Sequence, residues 1–224
     1  MMQYDTSTGT INDLKFFGEI AASVSHEIKN SLAVINEAAG LLQDMVQQEK
    51  KGQSLGPEKV GRVADQIVNR VFRTDTVVKN LNRFAHSVDT PVQSIDVTEL
   101  LALVLALGQR LANSRGVTLT PEPTAEKLIL HTHSFHLMQL LWRCTEFTMS
   151  AADVNKVIRI SGTRKNDCII IRYSGIDKVR ERMQAEDFLP SIAVLLKIIG
   201  GELDVTSERH ALRLKLPVRI PAGI

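Results

Sequence analysis

Ser25-His26-Glu27-Ile28-Lys29-Asn30-Ser31-Leu32 lies in the middle of a long stretch with helical periodicity. From Leu14 to Met45, positions 14, 17, 21, 24, 28, 31, 35, 38, 42 and 45 alternate steps of three and four. They read Leu, Phe, Ala, Val, Ile, Ser, Ile, Ala, Leu and Met, so nine of the ten are apolar. That is the seam spacing of a coiled coil. With Ala21 at position a and Val24 at d, His26 falls at f, away from the seam, and is expected to face water. Its helical neighbours Ala22, Ser23, Lys29, Asn30 and Ala33 are mostly short, so another protein has room to approach the imidazole.

An exposed neutral imidazole is a good nucleophile near neutral pH, since its unperturbed pKa is about 6.5. A neighbouring carboxylate can hold one ring nitrogen as N–H and leave the other free to attack phosphorus. Glu27 is placed for that part. Asn30, at i+4 from His26, shares its face, and its amide is suited to orienting a water in line with a phosphoryl group. The plain alternative is that a lone histidine on a helix surface is a solvated residue and nothing more.

The octapeptide resembles the H-box of two-component sensor histidine kinases, His-Glu-x-x-Asn/Thr-Pro-Leu. His26, Glu27, Asn30 and Leu32 match, and Ser31 replaces the proline. The resemblance implies that His26 accepts phosphate, that Glu27 assists as base and that Asn30 serves dephosphorylation of a partner. Loss of the proline leaves that chemistry in place but removes the usual cause of a helix bend.

The 224 residues suffice for one large or two small domains. Hydrophobic residues at 44% and charged residues at 23% are ordinary for a soluble globular protein. A net charge of +2 carries no strong signal for nucleic acid or an acidic membrane. Cys144 and Cys168 lie in apolar segments and read as reduced core residues of a cytosolic protein. There is no apolar run of about 18 residues and no signal peptide. The expectation is a cytoplasmic chain without a membrane anchor or an obvious input domain.

Residues 1–9 read as loose, and Thr10-Ile11-Asn12-Asp13 as a capping box opening a helix to about Lys50. Such a helix is roughly 60 Å long. Lys51-Gly52-Gln53-Ser54-Leu55-Gly56-Pro57 reads as a turn, with Pro57 suited to the first turn of a second helix ending near His86. Val60, Val63, Ile67, Val71, Thr74, Val78, Leu81 and Ala85 form its stripe, and Arg62, Arg70, Arg73, Lys79 and Arg83 a solvated face. Two such helices cannot bury both apolar sides alone, so a homodimeric four-helix bundle is expected.

A linker around Pro91 leads to a different texture. Helices are predicted over 96–114, 134–152 and 191–199, the last stopped by Gly200-Gly201. Strands are predicted over 117–120, 127–130, 157–161, 167–173, 202–207 and 211–216. This order suggests an α/β sandwich with helices on one sheet face. It resembles the ATPase-like domain of histidine kinases. Leu137 to Leu141 is similar to the start of that family's N-box helix, and Ile198 to Leu203 to the Gly-Gly before its closing hairpin. Its nucleotide chemistry is missing. Arg143 and Phe147 stand where the N-box asparagines hold Mg²⁺ and phosphates, and Tyr173-Ser174-Gly175-Ile176-Asp177 stands where Asp-x-Gly-x-Gly holds adenine. No glycine lies between Gly175 and Gly200, although a phosphate cradle needs close backbone approach.

The resemblance therefore implies an α+β chain. Residues 1–90 form a helical hairpin for dimerisation and histidine phosphotransfer, within a dimeric four-helix bundle. Residues 91–224 form a degenerate ATPase-like α/β sandwich. This is the pattern of the histidine phosphotransferases of sporulation and cell-cycle relays, which look like kinases that have lost ATP binding. The expected partner is a response-regulator receiver domain that brings its own Mg²⁺; no cofactor bound by this chain, no nucleic acid and no membrane are expected. The alternatives are a non-catalytic dimeric adaptor and an ATP-dependent kinase. His131, His133 and His136 form a possible zinc cluster, but exposed histidines at a strand end is the preferred reading. Trp142, Phe135 and Phe147 read as core, and Arg159, Arg164, Lys165 and Arg172 as solvent-facing.

Overall fold

A computed structural model describes residues 6–52, 56–124, 126–185, 187–206 and 211–219. The chain divides into two compact units, Asn12–Arg83 and Phe84–Ile224, the latter with Met1–Ile11. The change of unit at Arg83/Phe84 comes before the expected boundary at residue 90.

The first unit is a pair of long helices, α1 (Thr6–Lys50) and α2 (Pro57–Ala85). The capping-box expectation at Thr10 is corrected, because the helix already runs through these residues. Gly52, at φ +87°, donates its N–H to the Glu49 carbonyl and closes α1, a left-handed cap that glycine adopts without penalty. Residues 53–55 of the expected turn lie outside the described residues. Pro57 opens α2, where its missing N–H costs no helical bond.

The seam is covered on one side only. Val24, Ser31 and Ala38 are buried, while Leu14 and Phe17 are exposed. Phe16 and Ile20, absent from the predicted seam, are fully buried. The covered row follows steps of four before Val24, so it sits to one side of the predicted row. Ile28 and Ile35 are half-buried beside it.

The second unit begins with a single 3-10 turn, His86–Val88. Next come β1 (Gln93–Asp96), α3 (Val97–Ser114), β2 (Thr118–Pro121), β3 (Ile129–Thr132) and α4 (Ser134–Ser150). They are followed by β4 (Val157–Lys165), β5 (Cys168–Ser174), α5 (Val179–Ala185), α6 (Phe188–Ile199), β6 (Glu202–Thr206) and β7 (Ala211–Pro217). The strand β1 and the helix α5 are additions to the sequence expectation. A five-stranded sheet runs β2-β4-β5-β7-β6, with β2 parallel to β4 and the other pairs antiparallel; β1 and β3 pair separately.

Local chemistry fixes several of these elements. The Asp96 carboxylate accepts the Thr98 N–H and caps α3. Gly162, expected in the turn, lies within β4 instead. A Cβ there would stand 2.5 Å from Leu128 Cδ1, so a larger residue would have to displace the end of that leucine side chain. The turn falls on Asn166, at φ +53°, between the paired Lys165 and Cys168. Pro190 sits in the first turn of α6, where N–H groups have no intrahelical acceptor, and Gly200 closes that helix in the left-handed conformation.

One sheet face supplies Ile158, Ile160, Ile169, Ile171, Tyr173, Leu212, Leu214 and Leu216 to the core, all buried. Leu137, Leu140, Leu141 and Cys144 of α4, Val104 of α3 and Ile192 of α6 complete it. Trp142 and Phe147 are buried as expected, and Phe135 is half-exposed.

Candidate functional site

The α1 helix places His26 and Asn30 one turn apart on its exposed side, with Ala22, Lys29 and Ala33 exposed around them. Ser31, where the H-box has proline, is buried, so the histidine edge and the packed edge of the helix are distinct. Asn30 Nδ2 lies 3.2 Å from His26 Nδ1. Glu27, expected on the imidazole, turns instead to α2. Its Oε1 accepts from Arg73 Nη2 at 3.2 Å, and its side chain is 21% exposed against 55% for the arginine.

The contact at Nδ1 decides which ring nitrogen can react. If the amide nitrogen donates to Nδ1, the ring proton sits on Nε2 and no lone pair points outward. If the amide turns over, its carbonyl accepts from Nδ1–H and the Nε2 lone pair is free toward solvent. Asn30 is thus positioned to set the tautomer, the part that sequence reasoning gave to Glu27 alone. Sequence reasoning also missed Arg73, reading it as part of a solvated face. The i, i+4 relation of His26 and Asn30 was readable; an approach between two helices was not.

The residues of the segments that resemble nucleotide boxes make contacts within the chain. Arg143 Nη1 donates to Glu146 Oε2 at 3.0 Å, one turn along α4. Phe147 stacks on Phe188 of α6, with ring centroids 4.1 Å apart and planes 12° from parallel. Tyr173 is fully buried, and Thr145 Oγ1 donates to its hydroxyl at 3.5 Å. Burial pushes the tyrosine hydroxyl far above its ordinary range, with buried Cys144 adding to the shift. Burial likewise pushes the Cys144 thiol up to about 12.

Gly175 has a packing reason to be a glycine. It lies at φ +88°, and a Cβ would stand 2.0 Å from the Val157 carbonyl oxygen. Beside it Ile176 bridges to Ala152, and Asp177 N–H donates to the Ala151 carbonyl. Arg182 of α5 donates to the Ser150 carbonyl at 2.8 Å. A cavity of about 270 Å³ does lie in this unit, between the start of α3 and the sheet. Val97, Leu101, Leu128, Ile160 and Ile171 line it, and its one charged lining residue, Glu122, is an anion.

His131 is exposed and its Nδ1 lies 3.5 Å from Ser94 Oγ. His133 caps α4 and its ring lies 5.6 Å from that of His136. Among the described residues no three His, Cys, Asp or Glu side chains are grouped to hold a metal, and no helix is long and apolar enough to cross a membrane.

No protein-family profile matches the chain, and no curated protein matches it. Among solved structures it is similar to the nucleotide-free catalytic domain of the histidine kinase ThkA, at 16% identity over 58% of this chain and 97% of that domain, with a TM-score of 0.48. The Acinetobacter baumannii histidine kinase AdeS is 12% identical over 86% of this chain and 98% of its own, with a TM-score of 0.47. ThkA in complex with the response regulator protein TrrA is 18% identical over 91% of this chain and 62% of that one, with a TM-score of 0.44.

Proposed function

We propose that the chain is a cytoplasmic two-component signalling protein that exchanges phosphate with a response-regulator receiver domain and does not bind ATP. The observation that carries this is the exposed His26 with the Asn30 amide on its Nδ1. In the forward step the Nε2 lone pair attacks the phosphorus of the receiver's aspartyl phosphate. The N–P bond forms, the P–O bond to the aspartate breaks, and the carboxylate leaves. With the Asn30 amide turned over, the Nδ1 proton stays on the ring, held by the Asn30 carbonyl. Transfer of this kind needs in-line placement and charge neutralisation, and the receiver's own Mg²⁺ supplies the latter. Arg73 keeps the Glu27 carboxylate engaged beside the reacting ring, so the incoming phosphoryl group meets less negative charge.

The same residues support a second activity. Asn30, released from the ring, can orient a water toward the receiver's phosphorus. A homodimer completes the picture. Leu14, Phe17 and Leu32 of α1 and Val71 and Val78 of α2 are exposed apolar residues that a second hairpin would cover. The Phe147–Phe188 stack supports the absence of nucleotide binding.

The test is a time course of receiver phosphate with wild type, His26→Ala and Asn30→Ala, using a radiolabelled receiver. His26→Ala is expected to abolish acceptance and to leave receiver dephosphorylation. Asn30→Ala is expected to slow dephosphorylation about a hundredfold, the usual cost of one positioning group. Acceptance should fall less, because the imidazole stays in place and samples both tautomers. If both variants match wild type in both assays, the residues are solvated side chains and the adaptor reading replaces this one.

A further inference from the structure

The face of the five-stranded sheet opposite the helices carries an unbalanced set of charges. Its side chains alternate with the core residues along each strand. Arg159, Ser161, Thr163 and Lys165 come from β4, and Cys168, Ile170, Arg172 and Ser174 from β5. Arg213 and Lys215 come from β7, and Glu202 and Asp204 from β6. All are exposed or half-exposed.

Strand register sets the cations side by side. Arg172 lies directly opposite Arg213, and Arg213 opposite Asp204. Ser161 is opposite Arg172 and Ser174 opposite Arg159, so Arg159 is the diagonal neighbour of Arg172. Like charges directly opposite on one face repel. Only part of this repulsion is relieved within the chain. Arg213 donates to Asp204, and Lys215 donates to Glu202 at 3.0 Å. Among the described residues, neither Arg159 nor Arg172 forms an ion pair. Three neighbouring guanidiniums therefore share one carboxylate.

We infer that this sheet face docks an acidic protein segment, two of whose carboxylates pair with Arg159 and Arg172. Guanidinium forks match carboxylates bidentately, and Ser161 and Thr163 near them supply hydroxyls for the remaining acceptors. Charge also chooses between anions. Among its described residues the face carries no aromatic ring on which a base would stack, and the whole chain has a net charge of only +2, little for a polyphosphate. Among the described residues the exposed neighbours are mainly hydroxyls and charges, not the apolar rim that enters a lipid surface. The surface lies wholly in the second unit and does not depend on phosphate exchange at His26.

The experiment titrates the full chain into a fluorescein-labelled oligo-glutamate peptide and follows anisotropy at low and moderate salt. Parallel titrations use a single-stranded oligothymidylate of equal charge and vesicles of phosphatidylcholine with phosphatidylserine. Arg159→Gln with Arg172→Gln is expected to weaken peptide binding about tenfold, the loss of two charge-assisted contacts. Lys59→Gln with Arg62→Gln, an equal charge change on α2, should leave it unchanged. Both altered sheet residues face solvent, so an unchanged unfolding midpoint checks that the sheet is intact. Four results overturn the inference: no peptide binding, wild-type binding by the arginine variant, equal weakening by the α2 pair, or tighter binding of the oligonucleotide or vesicles that depends on the same arginines.

Discussion

In the hairpin an arginine and a glutamate meet at 3.2 Å beside an exposed histidine, reaching across from one helix to another. In the second unit an arginine and a glutamate meet at 3.0 Å within one helix, beside two stacked phenylalanines. The first pair borders an imidazole open to solvent, and the second borders a closed core. A phosphoryl acceptor needs only a nucleophile and one or two polar groups on a rigid helix, and packing on the far side of that helix does not disturb them. A nucleotide cradle needs backbone left open to the ligand. Phe147 and Phe188 are instead packed on each other and buried, and each burial contributes about 1.5–3 kcal/mol.

The comparison breaks most completely if the hairpin does not pair with a second copy. Ile28→Asp or Ile35→Asp is expected to turn the proposed dimer into monomer in sedimentation at micromolar concentration. An unpaired carboxylate buried in the bundle costs several kcal/mol or must be neutralised. A wild-type chain that sediments as a monomer would sink the bundle and leave Leu14, Phe17 and Val71 as merely exposed.

The second unit gives the next largest effect. Phe147→Ala removes half of the stack and should lower stability by about 3–5 kcal/mol, read from chemical denaturation. In the wild type, calorimetry with Mg-ATP should show no binding tighter than about millimolar, near −4 kcal/mol. A micromolar constant would show that the stack opens, and would restore the kinase reading of Arg143, Phe147, Tyr173 and Asp177.

How much of this was legible in the sequence depends on whether a feature is periodic or pairwise. The long helices were readable because apolar residues recur at helical spacing over ten positions. The row actually covered, with Phe16 and Ile20, was not, because a sequence does not say from which side a partner helix arrives. Core strands of Ile and Leu showed themselves by alternation. The strand Gln93–Asp96 has a single core residue, Ile95, and offered no pattern. Gly162 read as a turn because glycine marks turns, whereas its reason here is Leu128, remote in sequence. At the candidate site, His26 and Asn30 were visible as an i, i+4 pair. Arg73 was not, since its meeting with Glu27 depends on how two helices are rotated against each other.

That meeting supplies the smallest expected effect and the finest test. Arg73 is more than half exposed, so its pair with Glu27 is screened, and such pairs contribute about 0–1 kcal/mol to stability. Arg143→Ala should be similarly mild, since its pair with Glu146 is an i, i+3 contact on one helix. Stability therefore does not distinguish the two regions. Phosphotransfer does. Without Arg73 the Glu27 carboxylate is unpaired next to the ring proposed to receive an anionic phosphoryl group. Arg73→Ala should slow acceptance by His26 several-fold, with the larger effect at low salt, where charges are least screened. Arg73→Lys keeps the cation and should recover much of the rate. Arg143→Ala should leave the rate unchanged. Equal slowing by Arg73→Ala and Arg143→Ala would mean that the assay reports general destabilisation, and that the Glu27–Arg73 pair is no more specialised than its counterpart on α4.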